Sequence, residues 1–253
     1  MAVIWGLDLR DMKWSKFKSS YMFGNKDYHL RRTKFVVYQI AMLFCVVSES
    51  VGTAALSDYV DQQSEIERLH SSARVHNNDF VGIASYNIFV GVAVATIFGA
   101  AFFFDLFFPE RYEPKNIRWS WRISAIVVTI MTLASAIALT VIVATGEAWI
   151  SADSEDARQI ALQHLSPPLR YRDNGKAIAS VVCLWIGLVG AIASCIVLWL
   201  YYAHLDTYGP KSHSARMRDG NADKPPPNRT SPLVSERESQ RHQASWNLRN
   251  PRV

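Results

Sequence analysis

AIASVVCLWIGLVGAIASCIVLWLYYA, residues 177–203, runs for 27 residues without a charged side chain. A helix needs roughly 20 apolar residues to cross a hydrocarbon core, at about 1.5 Å of rise per residue. This run exceeds that length and is apolar on every face, whereas a core helix of a water-soluble domain carries a polar stripe. Residues 35–56, 80–108 and 123–145 repeat the pattern with almost no charge, and polar sequence separates them. The mean hydropathy of +0.02 is therefore an average over two unlike kinds of sequence. The fold expected is all-α: a four-helix transmembrane bundle over residues 35–203. A basic and aromatic segment, 1–34, precedes it. The segment that follows, 204–253, is rich in Arg, Ser, Asn and Pro, lacks apolar periodicity, and is expected to be disordered.

Charge sets the expected orientation. Eight Lys and Arg precede the first span, four (Arg111, Lys115, Arg118, Arg122) lie in the connection between the second and third, and nine follow the fourth. The other two connections hold Arg68 and Arg74, then Arg158, Arg170 and Arg172, with Lys176 at the edge of the fourth span. The positive-inside rule then puts both termini and the middle connection in the cytosol. Trp119, Trp121, Trp149, Trp199, Tyr201 and Tyr202 fall at span ends, where aromatic rings favour the headgroup layer. The net charge of +5 follows from this topology, so nucleic acid is not an expected partner. The second span is long enough to carry Asp105 into the headgroup level.

Asp8, Arg10, Asp11 and Lys13 interrupt the N-terminus before any apolar run, so the first span is expected to do the targeting. The N-terminal segment mixes rings and cations, as in Trp14-Ser15-Lys16-Phe17-Lys18 and Arg31-Arg32, which suits anionic lipid headgroups. All three cysteines, Cys45, Cys183 and Cys195, lie inside spans, so the outer loops have no disulfide available. The second outer loop is expected to contain a short helix capped by Asp153 or Ser154, favoured by Glu155 and Asp156, edged by Ile160, Ala161 and Leu165, and ended by Pro167-Pro168. His70, His76 and His164 share no ligand spacing, so no metal site is expected. Ser231, Ser235 and Ser239 are the phosphorylation candidates of the tail.

Inside the bilayer one ionisable group asks for a partner. Glu49 lies about eight residues below the outer boundary near Ser57, and Asn87 lies seven below Phe80, so both sit roughly 10–12 Å deep on antiparallel neighbours. A neutral Glu49 hydrogen-bonded to Asn87 is the expected arrangement. Asn87 also begins a small-residue stripe with Gly91, Ala95 and Gly99, and the fourth span offers Gly187 and Ala191; such stripes allow close helix packing. Histidine boxes, C-x-x-C, G-x-S-x-G and P-loop signatures are all absent, so neither enzymatic activity nor a cofactor is expected.

Cytosolic termini, the basic approach Arg31-Arg32-Thr33-Lys34, Gln39 inside the first span, a short middle connection and cysteine-free outer loops resemble the fungal MARVEL-type four-pass proteins. That resemblance implies a non-enzymatic role in membrane organisation or protein trafficking at the cell periphery. The contacts expected are the bilayer and membrane-protein partners or a second copy. The alternative is a small channel or transporter subunit built on Glu49. The orientation has a chemical test at Asn228-Arg229-Thr230, the one N-x-S/T acceptor in the chain. Asn228 is expected to stay unglycosylated in a secretory host, while an acceptor engineered near Ser71 is used; glycan on Asn228 overturns the orientation.

Overall fold

The computed structural model describes residues 3–4, 7–8, 12–69, 73–111, 113–153, 159 and 166–220. Four long helices dominate it: Arg31–Leu69, Asn78–Phe107, Lys115–Thr145 and Gly175–Tyr208. Each is long and apolar enough to cross a membrane. Their outer faces carry large apolar side chains: Leu43 is 59% exposed, Phe89 60%, Ile130 60% and Val189 67%. An apolar girdle of this extent suits lipid and would be an aggregation surface in water. The chain divides into two compact units, one of residues 33–102 and 122–198 and the other of residues 1–32, 103–121 and 199–253.

In the first of these units, the first long helix does not stop where the apolar run ends. It continues through residues 57–69, read above as loop, because Ala55, Tyr59, Gln62 and Ile66 recur at helical spacing and are all buried. The other face of that extension carries Asp58, Asp61, Glu65 and Glu67. Tyr59 stacks edge-on to Phe80 at 5.0 Å and to Tyr171 at 5.3 Å, and Phe80 meets Tyr171 at 4.9 Å. Polar tips tie this aromatic cluster to its loops. Tyr59 Oη donates to the Pro168 carbonyl at 3.0 Å, Gln62 Nε2 to the Pro167 carbonyl at 2.8 Å, and Tyr171 Oη to Asp79 Oδ1 at 2.7 Å. Burial and the Asp79 carboxylate both raise the Tyr171 pKa. A Cβ at Gly146 would lie 3.0 Å from the Tyr171 ring, so glycine is what lets that ring seat.

The connection after the first long helix and the one after the third pair with each other, as antiparallel strands Ala73–His76 and Trp149–Ala152, with His76 opposite Trp149 and their rings stacked at 3.9 Å. This pairing and the aromatic cluster hold the loops that have no disulfide to staple them. The short helix expected over residues 153–165 lies almost wholly outside the described residues.

The other unit is organised around buried charge. Arg111 meets Asp105 at 3.2 Å and Glu113 at 2.6 Å, and all three side chains are more than nine-tenths buried. Burial works against the Arg111 charge, but the two carboxylates outweigh it and its pKa lies above the ordinary arginine value. Asp105 is thus a structural ion-pair partner, held by Arg111. Arg31 donates to the Asp105 carbonyl at 3.5 Å and lies over the Tyr21 and Tyr28 rings at 4.8 and 5.3 Å. Tyr28 Oη donates to Glu110, and burial followed by that carboxylate pushes its pKa up to about 12. Arg118 pairs with Asp206.

The start of the segment expected to be disordered is folded. The fourth long helix runs on to Tyr208, His204 stacks on His29 at 3.8 Å, and a short helix His213–Arg218 follows, capped by Ser212. Ser212 Oγ also donates to the Lys26 carbonyl at 2.7 Å, and Arg218 pairs with Asp27 at 2.7 Å. Residues 221–253, with Ser231, Ser235 and Ser239, lie outside the described residues.

Removing one member of a buried ion pair costs more than the pair itself is worth, because the survivor stays charged and dry. Arg111→Ala is expected to lower stability by about 3–5 kcal/mol, read as a lower thermal midpoint of the detergent-solubilised protein. Arg218→Ala, at an exposed pair, is expected to leave the midpoint within error.

Candidate functional site

Four polar side chains, one from each long helix, meet inside the bundle. Ser48 and Ser135 are fully buried, and Asn87 and Ser180 are 1% exposed. Ser48 Oγ donates to the Ser180 carbonyl at 2.8 Å, and Ser180 Oγ donates back to the Ser48 carbonyl at 2.9 Å. Asn87 Nδ2 donates to Ser48 Oγ at 3.2 Å, while Ser135 Oγ donates to Asn87 Oδ1 at 3.2 Å. Both ends of the amide are engaged, and through it the second helix is tied to the first and third.

Hydroxyls in apolar helices ordinarily bond the carbonyl four residues back, which satisfies them within their own helix. Ser50, Thr53, Ser85, Thr132 and Ser194 all do this. Ser48 and Ser180 instead bond across to each other's backbone, which requires the two helices to approach closely. Small residues allow it. A Cβ on Gly187 would lie 2.6 Å from Cys45 Sγ, and one on Gly190 would lie 2.7 Å from the Ala41 nitrogen. Gly52, one turn from Ser48, leaves room for the Ser180 hydroxyl, which would be 3.0 Å from an added Cβ.

Asn87 does not take Glu49 as its partner; its hydrogen bonds go to Ser48 and Ser135. Ser48 and Glu49 are neighbours, so Asn87 meets the first long helix at the level expected along its axis, but about 100° of helical rotation separates adjacent side chains. Ser48 faces the bundle interior, and Glu49 turns to its flank. There Glu49 is half-buried, its carboxylate lying over Gly91, where an added Cβ would collide with Oε2. It makes no side-chain hydrogen bond with the described residues. Gly99 receives Met42, whose Sδ would be 3.2 Å from an added Cβ, Ala95 is half-buried between them, and Ala191 is fully buried. The stripes of the second and fourth helices therefore both serve the first helix, at Gly91 and Gly99 on one side and Gly187 on the other.

Among the described residues no group of three His, Cys, Asp or Glu side chains gathers as a metal site. The His76 ring is occupied by Trp149 and by Ser151 Oγ at 3.0 Å, and His70 and His164 lie outside the described residues. Sequence reasoning missed Ser48, Ser135 and Ser180 because most such serines bond their own helix and leave no mark on the pattern. No family model, curated protein or solved structure matches this chain.

Interhelical hydrogen bonds in membranes average about 0.6 kcal/mol each. Asn87→Leu removes two of them and leaves buried hydroxyls without their partner, so a loss of about 1–3 kcal/mol is expected in reversible unfolding from mixed micelles. Glu49→Leu, which removes no hydrogen bond to the described residues, is expected to be neutral or stabilising; the reverse order of the two variants contradicts this geometry.

Proposed function

We propose that this chain is a non-enzymatic, multi-pass membrane component that organises or scaffolds its surroundings, with both termini in the cytosol. One observation carries the reading: the polar groups at the centre of the bundle are joined to one another, while the carboxylate stands on the flank beside Gly91. A centre closed by Asn87 and three serines offers little to a hydrated path along the bundle axis. A half-buried acid on a flank is a lateral handle, suited to a neighbouring membrane helix or a second copy. The distribution of Lys and Arg supports the orientation, and the resemblance to MARVEL-type proteins supports a role in membrane organisation.

The rival, a conducting subunit using Glu49, predicts a different result in the same experiment. The purified chain in liposomes is expected to pass protons and small ions no faster than protein-free vesicles, and Glu49→Gln to change nothing. Flux in the parent that disappears in Glu49→Gln overturns the scaffold reading.

A further inference from the structure

The N-terminal segment leaves a tryptophan almost bare: Trp14 is 87% exposed, and Met12 beside it is 49% exposed. This is not a loose end of chain. Residues Trp14–Phe17 form a 3-10 turn whose Phe17 ring packs edge-on against Phe107 at 5.5 Å and Phe103 at 6.3 Å, with Trp14 against Phe17 at 5.6 Å. Lys16 Nζ donates to the Phe107 carbonyl at 2.9 Å. The second long helix has no basic residue in its last turn, so Lys16 supplies from outside the cation its terminal carbonyls attract. Ring contact and amine together fasten the turn to the helix end.

That fastening sets a depth. Phe103 and Phe107 lie one turn apart at the end of a helix long and apolar enough to cross a membrane, and Phe103 is itself 50% exposed. Trp14 continues the aromatic surface that Phe103 exposes there, and an indole, with an apolar body and a polar N–H, is a ring that favours the headgroup layer. Lys13 and Lys18 flank it, both exposed, while Lys16 is engaged with the helix.

We propose that residues 12–18 dock on anionic phospholipid, with the Trp14 ring among the headgroups and Lys13 and Lys18 on lipid phosphates. This rests on the reading that the long helices cross a bilayer, and it names the lipid partner of the N-terminal segment. A protein partner would not need a tryptophan continuous with lipid-facing Phe103.

The test uses the full chain in nanodiscs of phosphatidylcholine, with or without about a third phosphatidylserine. The part of the tryptophan emission lost in Trp14→Phe is expected to be blue-shifted and quenched by lipid carrying a shallow nitroxide. Amide exchange over residues 12–23 is expected to slow in the anionic discs by about fivefold per lysine, and Lys13→Ser with Lys18→Ser to remove that slowing. A Trp14 emission like that of water-exposed indole, untouched by the quencher, overturns the docking. Equal exchange in the two lipids overturns the docking on anionic phospholipid. Nanodiscs present phosphatidylserine on both faces, so neither failure reflects orientation, which is read separately from glycan on Asn228.

Discussion

A polar group surrounded by hydrocarbon must find a partner within the protein, and in this bundle that constraint is met at Asn87. Its amide offers a donor and an acceptor in a side chain that is 1% exposed. Ser48 and Ser135 answer from the neighbouring helices, and Ser48 is joined in turn to Ser180. Apolar packing alone discriminates weakly between helix rotations when lipid is as apolar as leucine. A set of directional bonds at one level fixes both rotation and register. The glycines at 187 and 190 then follow as a condition, since the reciprocal serine bonds need two backbones close together.

The parts of the chain outside the apolar girdle meet the same constraint with different means. Where Tyr59, Phe80 and Tyr171 cluster, each phenol finds an oxygen in a loop or a helix start, and the ladder from residue 73 to residue 152 absorbs the backbone groups of two connections. Where Arg111 sits, charge replaces rings as the organising element. A buried trio of one cation and two carboxylates is a poor source of net stability, because desolvation offsets much of the attraction. Its geometry is demanding, however, and it draws together the end of the second helix and the connection that follows.

The four long helices were legible because length without charge is a one-dimensional signal, and a hydrocarbon layer has one relevant dimension. Rotation about each helix axis was not legible, and that is why Glu49 was assigned to Asn87 when its neighbour Ser48 holds the bond. The extension to Leu69 did leave a trace, in Ala55, Tyr59, Gln62 and Ile66 at helical spacing, but its acidic outer face resembles a loop. Strand pairing between residues 73–76 and 149–152 left none, since it joins segments far apart in sequence through short and ordinary residues. The fold of residues 204–220 depends on Asp27, His29 and Lys26, partners that no local pattern announces.

The contact between Ser48 and Ser180 tests the centre of this account most directly, because the two hydroxyl oxygens lie 3.2 Å apart and each helix supplies one. With Cys45, Cys183 and Cys195 replaced by alanine, the Ser48→Cys, Ser180→Cys pair should close a disulfide under mild oxidation in native membranes. Glu49→Cys paired with Ser180→Cys should not. Failure of the first pair to close, or closure of the second in its place, would mean that Glu49 and not Ser48 faces the bundle interior, and the polar centre described here would be wrong.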